Sequence, residues 1–123
     1  MDTIDIPATN NTPAIKFADG KLSISGRAIS NKEISFYQPV TEWAGKVQIN
    51  RLIVDINLEY INSVSSKKLL NLLKTLDNNK GIRSLIVNWF YEEGDEDTLL
   101  KGQLFDESLP KAEFRFHLNT EET

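Results

Sequence analysis

Residues 52–91 read LIVDINLEYINSVSSKKLLNLLKTLDNNKGIRSLIVNWFY, and two changes of hydrophobic period inside them decide the fold. Leu52, Val54, Ile56, Leu58 and Tyr60 alternate with Ile53, Asp55, Asn57 and Glu59, the period-two pattern of a strand with one partly polar face. Leu69, Leu72, Leu73 and Leu76 then recur at i, i+3, i+4 and i+7, which predicts an amphipathic helix ending near Asn78-Asn79-Lys80-Gly81. Arg83–Tyr91 returns to alternation, with Leu85, Val87, Trp89 and Tyr91 on one side and Ile86 and Phe90 on the other. A strand, a helix and a strand joined this tightly form a right-handed crossover between parallel strands.

Outward from this unit the signals are shorter. Ala14–Phe17 and Lys21–Ser25 read as a hairpin around Ala18-Asp19-Gly20, because a turn containing Asp-Gly between alternating runs is a strong hairpin signal. Phe36, Val40, Trp43, Ala44 and Val47 lie at helical spacing, and Pro39, tolerable only in a first turn, places the helix start near Gln38. After the acidic turn Glu92-Glu93-Gly94-Asp95-Glu96-Asp97, the segment Thr98–Phe105 presents Leu99, Leu100, Leu104 and Phe105 as a helix face. In Lys111–Leu118, Ala112, Phe114, Phe116 and Leu118 oppose Lys111, Glu113, Arg115 and His117, as expected of a half-buried edge strand. The sum is an α/β domain: a mixed sheet of about five strands with helices packed mainly on one face. This layout resembles the STAS domain of anti-sigma-factor antagonists.

With 123 residues, 40% of them hydrophobic and 26% charged, the chain has the length and composition of one soluble domain. Residues 1–11 and the NTEET tail after Leu118 lack periodicity and read as flexible ends of a domain spanning 12–118. A net charge of −4, with no basic run longer than Lys67-Lys68, argues against nucleic acid as a partner. The absence of cysteine excludes thiol chemistry and disulfides, and no apolar run is long enough for membrane insertion. A cytoplasmic location is the expectation.

The inventory for catalysis is poor. His117 is the one histidine, expected on the solvated side of the last strand, so neither a triad base nor a multi-histidine metal site can be assembled. No G-x-S-x-G, Walker or G-x-G-x-x-G sequence occurs. The acidic turn lacks the ligand spacing of an EF-hand and is better explained by the positive end of the helix that follows. Asp55 and Glu59, four residues apart on a strand, stand about 13 Å from each other, too far for paired acid–base work on one bond. The expectation is a protein without metal, cofactor or catalytic residue.

Asn62, Ser63, Ser65 and Ser66 occupy the junction between the best-patterned strand and the best-patterned helix. One such residue suffices for an N-cap, so the cluster exceeds what capping needs. A phosphate here would add about −1.5 to −2 charges at a helix N-terminus that tolerates anions, changing the surface without unfolding the domain.

At this point the sequence resembles the SiaC family of bacterial regulatory phosphoproteins. Thr12-Pro13-Ala14-Ile15, Phe36-Tyr37-Gln38-Pro39 with Trp43, Tyr60-Ile61-Asn62-Ser63-Val64-Ser65-Ser66-Lys67, Trp89-Phe90-Tyr91-Glu92-Glu93 and Leu104-Phe105 carry the resemblance. It implies a phospho-switch, modified on the residue directly after Tyr-x-Asn by a histidine-kinase-like Ser/Thr protein kinase and reset by a PPM-type phosphatase. Its unphosphorylated form is expected to bind a diguanylate cyclase, linking it to cyclic-di-GMP and biofilm behaviour. Carried over, the acceptor is Ser63, Asn62 shapes the turn, and Tyr60, Ser65, Ser66 and Lys67 complete the contact surface. Two departures, Ser in place of Thr and Val64 in place of a small polar residue, leave Ser65 and Ser66 open as alternative acceptors. The competing expectation is a constitutive STAS-like interaction module that binds partners without being modified.

Overall fold

The computed structural model describes residues 4–29 and 37–119. Six strands form one sheet whose spatial order follows the chain: β1 (Ile4–Ile6), β2 (Ala14–Ala18), β3 (Lys21–Ala28), β4 (Ile49–Ile61), β5 (Ile82–Glu92) and β6 (Glu113–Asn119). The pairs β1–β2 and β2–β3 are antiparallel, and the remaining three are parallel. Each parallel connection carries one helix: α1 (Tyr37–Lys46), α2 (Ser63–Asn78) and α3 (Glu96–Ser108). In a sheet that grows strand by strand in one direction, right-handed crossovers put every helix on the same face.

The hairpin forms where Asp-Gly predicts it. Ala18 pairs with Lys21, and both turn residues take positive φ, Asp19 at 55° and Gly20 at 78°, which matches the right-handed twist of the flanking strands. On the helix-covered face Ile15, Phe17, Leu22, Ile24, Leu52, Val54, Ile56, Leu85, Val87 and Trp89 are buried. The α2 stripe Leu69, Leu72, Leu73 and Leu76 packs on them, fully buried, each leucine contributing about 1.5–3 kcal/mol. Asp77, at the last turn of α2, accepts the backbone N–H groups of Lys111 and Ala112 at 3.0 and 2.9 Å, fixing the approach to β6. Asn79 donates to the carbonyls of Ala44 and Val47, tying the end of α1 to the end of α2. α1 begins at Tyr37, one residue before the sequence-based start, and its phenol is buried enough to be pushed up to about 12. Phe36 lies outside the described residues.

Two expectations are corrected, and one is refined. The sheet of about five strands has six, since Ile4–Ile6 pairs with Ile15–Phe17 near the N-terminus. Three residues are too few to show a period. The same segment is held again at Asn11, whose carbonyl accepts from the Ile29 N–H at 2.9 Å. In α3, Thr98, Gly102 and Phe105 face the sheet, while Leu100 and Leu104 face outward. The reason is steric: a Cβ at position 102 would sit 2.6 Å from Nε1 of Trp89, so the helix approaches the indole through its only side-chain-free position. Leu118 is half exposed despite its place in the alternation, because β6 has no strand beyond it.

Candidate functional site at the β4–α2 junction

Asn62 builds the junction. Its φ of −91° and ψ of 177° are extended, and its Oδ1 accepts from the Ser65 N–H at 2.9 Å, the geometry of an N-cap. Its Nδ2 donates to the Ile29 carbonyl at 2.8 Å and its backbone N–H to the Ala28 carbonyl at 3.0 Å, so one residue fastens the start of α2 to the end of β3. The amide supplies a separate acceptor and donor, Oδ1 for the helix and Nδ2 for the strand end.

Ser63 is then the first residue of α2, and it is exposed. Ser65, held under the capping bond, is 3% exposed. The Ser66 Oγ is buried without a hydrogen-bond partner. The three serines that sequence alone could not rank therefore differ sharply in access, and burial separates them. Lys67 is exposed, and the first turn of α2 holds no acidic residue, so no carboxylate of the helix itself opposes an anion at its positive end.

Tyr60 is 54% exposed. Between Gly26 and Arg27 the register of β3 against β4 slips by one residue, Leu58 facing Gly26 and Tyr60 facing Arg27. This bulge leaves Glu59 and Tyr60 both outside the core, and Gly26, at φ 114°, accommodates the irregularity. The Arg27 guanidinium lies over the Tyr60 ring at 5.1 Å and its Nε is 3.6 Å from Glu59 Oε1. Clefts open on both sides of the ring. One of about 360 Å³ is lined by Arg27, Ile29, Tyr60, Ile61 and Asn62. The other, about 310 Å³, joins Tyr60 to Asp95, Asp97 and Lys101 at the start of α3. Sequence reading missed Arg27, Ile29 and Lys101, because nothing local reveals which residue a parallel neighbour or a following helix places beside Tyr60.

The remaining sequence candidates lie elsewhere. Asp95 caps α3, its Oδ1 accepting from the Thr98 N–H at 3.1 Å and its Oδ2 from the Thr98 hydroxyl at 2.7 Å, so the acidic turn serves the helix start as expected. No group of three metal-ligating side chains is present among the described residues. His117 is less solvated than expected: on the helix-free face its Nε2 lies 2.9 Å from Asn88 Oδ1 and its ring stacks on Phe90 at 4.9 Å. Asn88 Nδ2 donates in turn to Asp55 Oδ1 at 2.8 Å, which makes His117 Nε2 the donor in its bond to Asn88. Asn57 and Glu59 are likewise engaged, by Asn119 and Arg27.

Comparison with known proteins follows the same lines. Residues 6–119 match the model of the SiaC family regulatory phosphoprotein. Apo-SiaC from Pseudomonas aeruginosa superposes with a TM-score of 0.77 at 25% identity, over 98% of this chain and 100% of that one. A chain in the crystal structure of the diguanylate cyclase SiaD in complex with its activator SiaC, from the same organism, gives a TM-score of 0.80 at 25% identity, over 94% and 99%. Comparison with curated proteins returned no match. No helix among the described residues is long and apolar enough to cross a membrane. The chain belongs to the SiaC family of regulatory phosphoproteins.

Proposed function

We propose that this protein is a non-enzymatic cytoplasmic switch, phosphorylated reversibly on Ser63 and read by partner proteins at the β4–α2 junction. The observation that carries the reading is the contrast in access among three serines one turn apart: Ser63 is exposed, Ser65 is buried and the Ser66 Oγ is enclosed. A kinase must reach the hydroxyl it esterifies. Phosphate on Ser63 adds about −1.5 to −2 charges where the α2 dipole is positive, so the domain tolerates it. Lys67 stands one helical turn after the proposed acceptor and Tyr60 and Asn62 just before it in the chain, so a partner resting on them would meet the new charge.

The partners of this proposal are a histidine-kinase-like Ser/Thr kinase, a PPM-type phosphatase and a diguanylate cyclase; the last is supported by the cyclase complexed with the related SiaC. Intact-mass analysis and peptide mapping after co-expression with such a kinase test the reading. One added phosphate on the peptide holding Ser63, absent in Ser63→Ala, is expected. An unmodified chain, or phosphate elsewhere, refutes it.

A further inference from the structure

The outer face of α3 carries two leucines that the fold does not use. Leu100 and Leu104, one turn apart, are 53% and 52% exposed, on the side opposite Thr98, Gly102 and Phe105. The helix cannot roll to bury them. Gly102 is seated against the Trp89 ring, Trp89 Nε1 donates to the Thr98 carbonyl at 2.9 Å, and Asp95 holds Thr98 through both carboxylate oxygens.

Charge around the pair is one-sided. From Glu92 to Ser108 stand seven acidic residues and one base, Lys101, whereas the whole chain has 18 acids and 14 bases. The rest of the chain is thus net positive, and its negative charge is gathered on this helix and the turn before it. Glu96, Asp97 and Glu107 are exposed beside the leucines.

We infer that the outer face of α3 docks a basic amphipathic helix of a partner protein, apolar side chains covering Leu100 and Leu104 and Lys or Arg meeting Glu96, Asp97 and Glu107. Two apolar anchors one turn apart on a convex surface suit the ridges and grooves of another helix. The acidic rim selects a basic partner and disfavours a second copy of this chain docked by the same face, which would set acid against acid. Docking here needs no phosphate on Ser63, so it stands independently of the switch at the β4–α2 junction.

The test uses the full chain and a fluorescein-labelled synthetic Leu/Lys peptide of about 18 residues, patterned as an amphipathic helix. A peptide of equal composition with its leucines scattered serves as control. Anisotropy should show saturable binding of the patterned peptide that weakens with salt, and amide shifts should centre on Glu96–Ser108. Leu100→Ser with Leu104→Ser should weaken binding by about tenfold or more, and Glu96→Gln with Glu107→Gln should flatten the salt dependence. Shift mapping on the native chain decides the site even where a variant folds poorly. Equal binding of both peptides, no saturation at millimolar concentration, shifts centred elsewhere, or a leucine-dependent dimer in sedimentation overturns the inference.

Discussion

The side-chain amide of Asn62 donates to the carbonyl of Ile29 across 2.8 Å, joining the first turn of α2 to the end of a strand 33 residues earlier. Ile29 in turn donates its N–H to Asn11, so three separate segments converge on the junction that presents Ser63. Ser63 is held in place by a network that does not include its own hydroxyl.

Replacing Asn62 with Ala removes both the cap and the clasp. The cap alone is worth about 1 kcal/mol and an unpaired carbonyl adds about 1 kcal/mol or more, so Asn62→Ala should lose about 2 kcal/mol in urea denaturation. Unchanged stability would show that the junction is held by other contacts.

Ser63→Ala should leave stability within about 0.5 kcal/mol of the parent, because Asn62 makes the capping bond. If Ser63 is the switch proposed above, Ser63→Ala and Ser63→Asp should differ in affinity for a diguanylate cyclase of the proposed partner class when measured by calorimetry. A constitutive interaction module would bind equally well in both forms.

Gly102→Ala tests the seat of α3. Alanine in a helix interior normally gains about 1 kcal/mol over glycine, yet a Cβ here would press on backbone-anchored Trp89. Overpacking costs about 1–3 kcal/mol, so the variant should be less stable than the parent by thermal melting, with a changed tryptophan emission. A stabilised variant would show that the helix can shift away freely.

Tyr37 predicts an alkaline limit. Burial raises its pKa from 10.0 to about 12, so between those values the unfolded chain has released this proton while the folded chain still holds it. The stability from this group is complete below pH 10 and falls by about 1.4 kcal/mol per pH unit until the folded phenol ionises. Denaturation across this range should be steeper for the parent than for Tyr37→Phe. Parallel pH profiles would remove Tyr37 as the cause.

The chain itself fixed the β4–α2–β5 crossover, the Asp-Gly turn, the acidic turn leading into α3 and the place of the serine cluster. Those features rest on periodicity and capping, which are properties of neighbouring residues. Tertiary structure alone decided the pairing of Ile4–Ile6, the slip between Gly26 and Arg27 that turns Tyr60 outward, the outward roll of Leu100 and Leu104, and the bond from His117 to Asn88. It also decided which serine of the cluster stays within reach. In each case the deciding contact comes from a residue distant in sequence: Arg27 beside Tyr60, Trp89 beneath Gly102, Ile29 across from Asn62. A local pattern states which face a residue prefers, but whether that face is covered depends on a surface that only the folded chain brings to it.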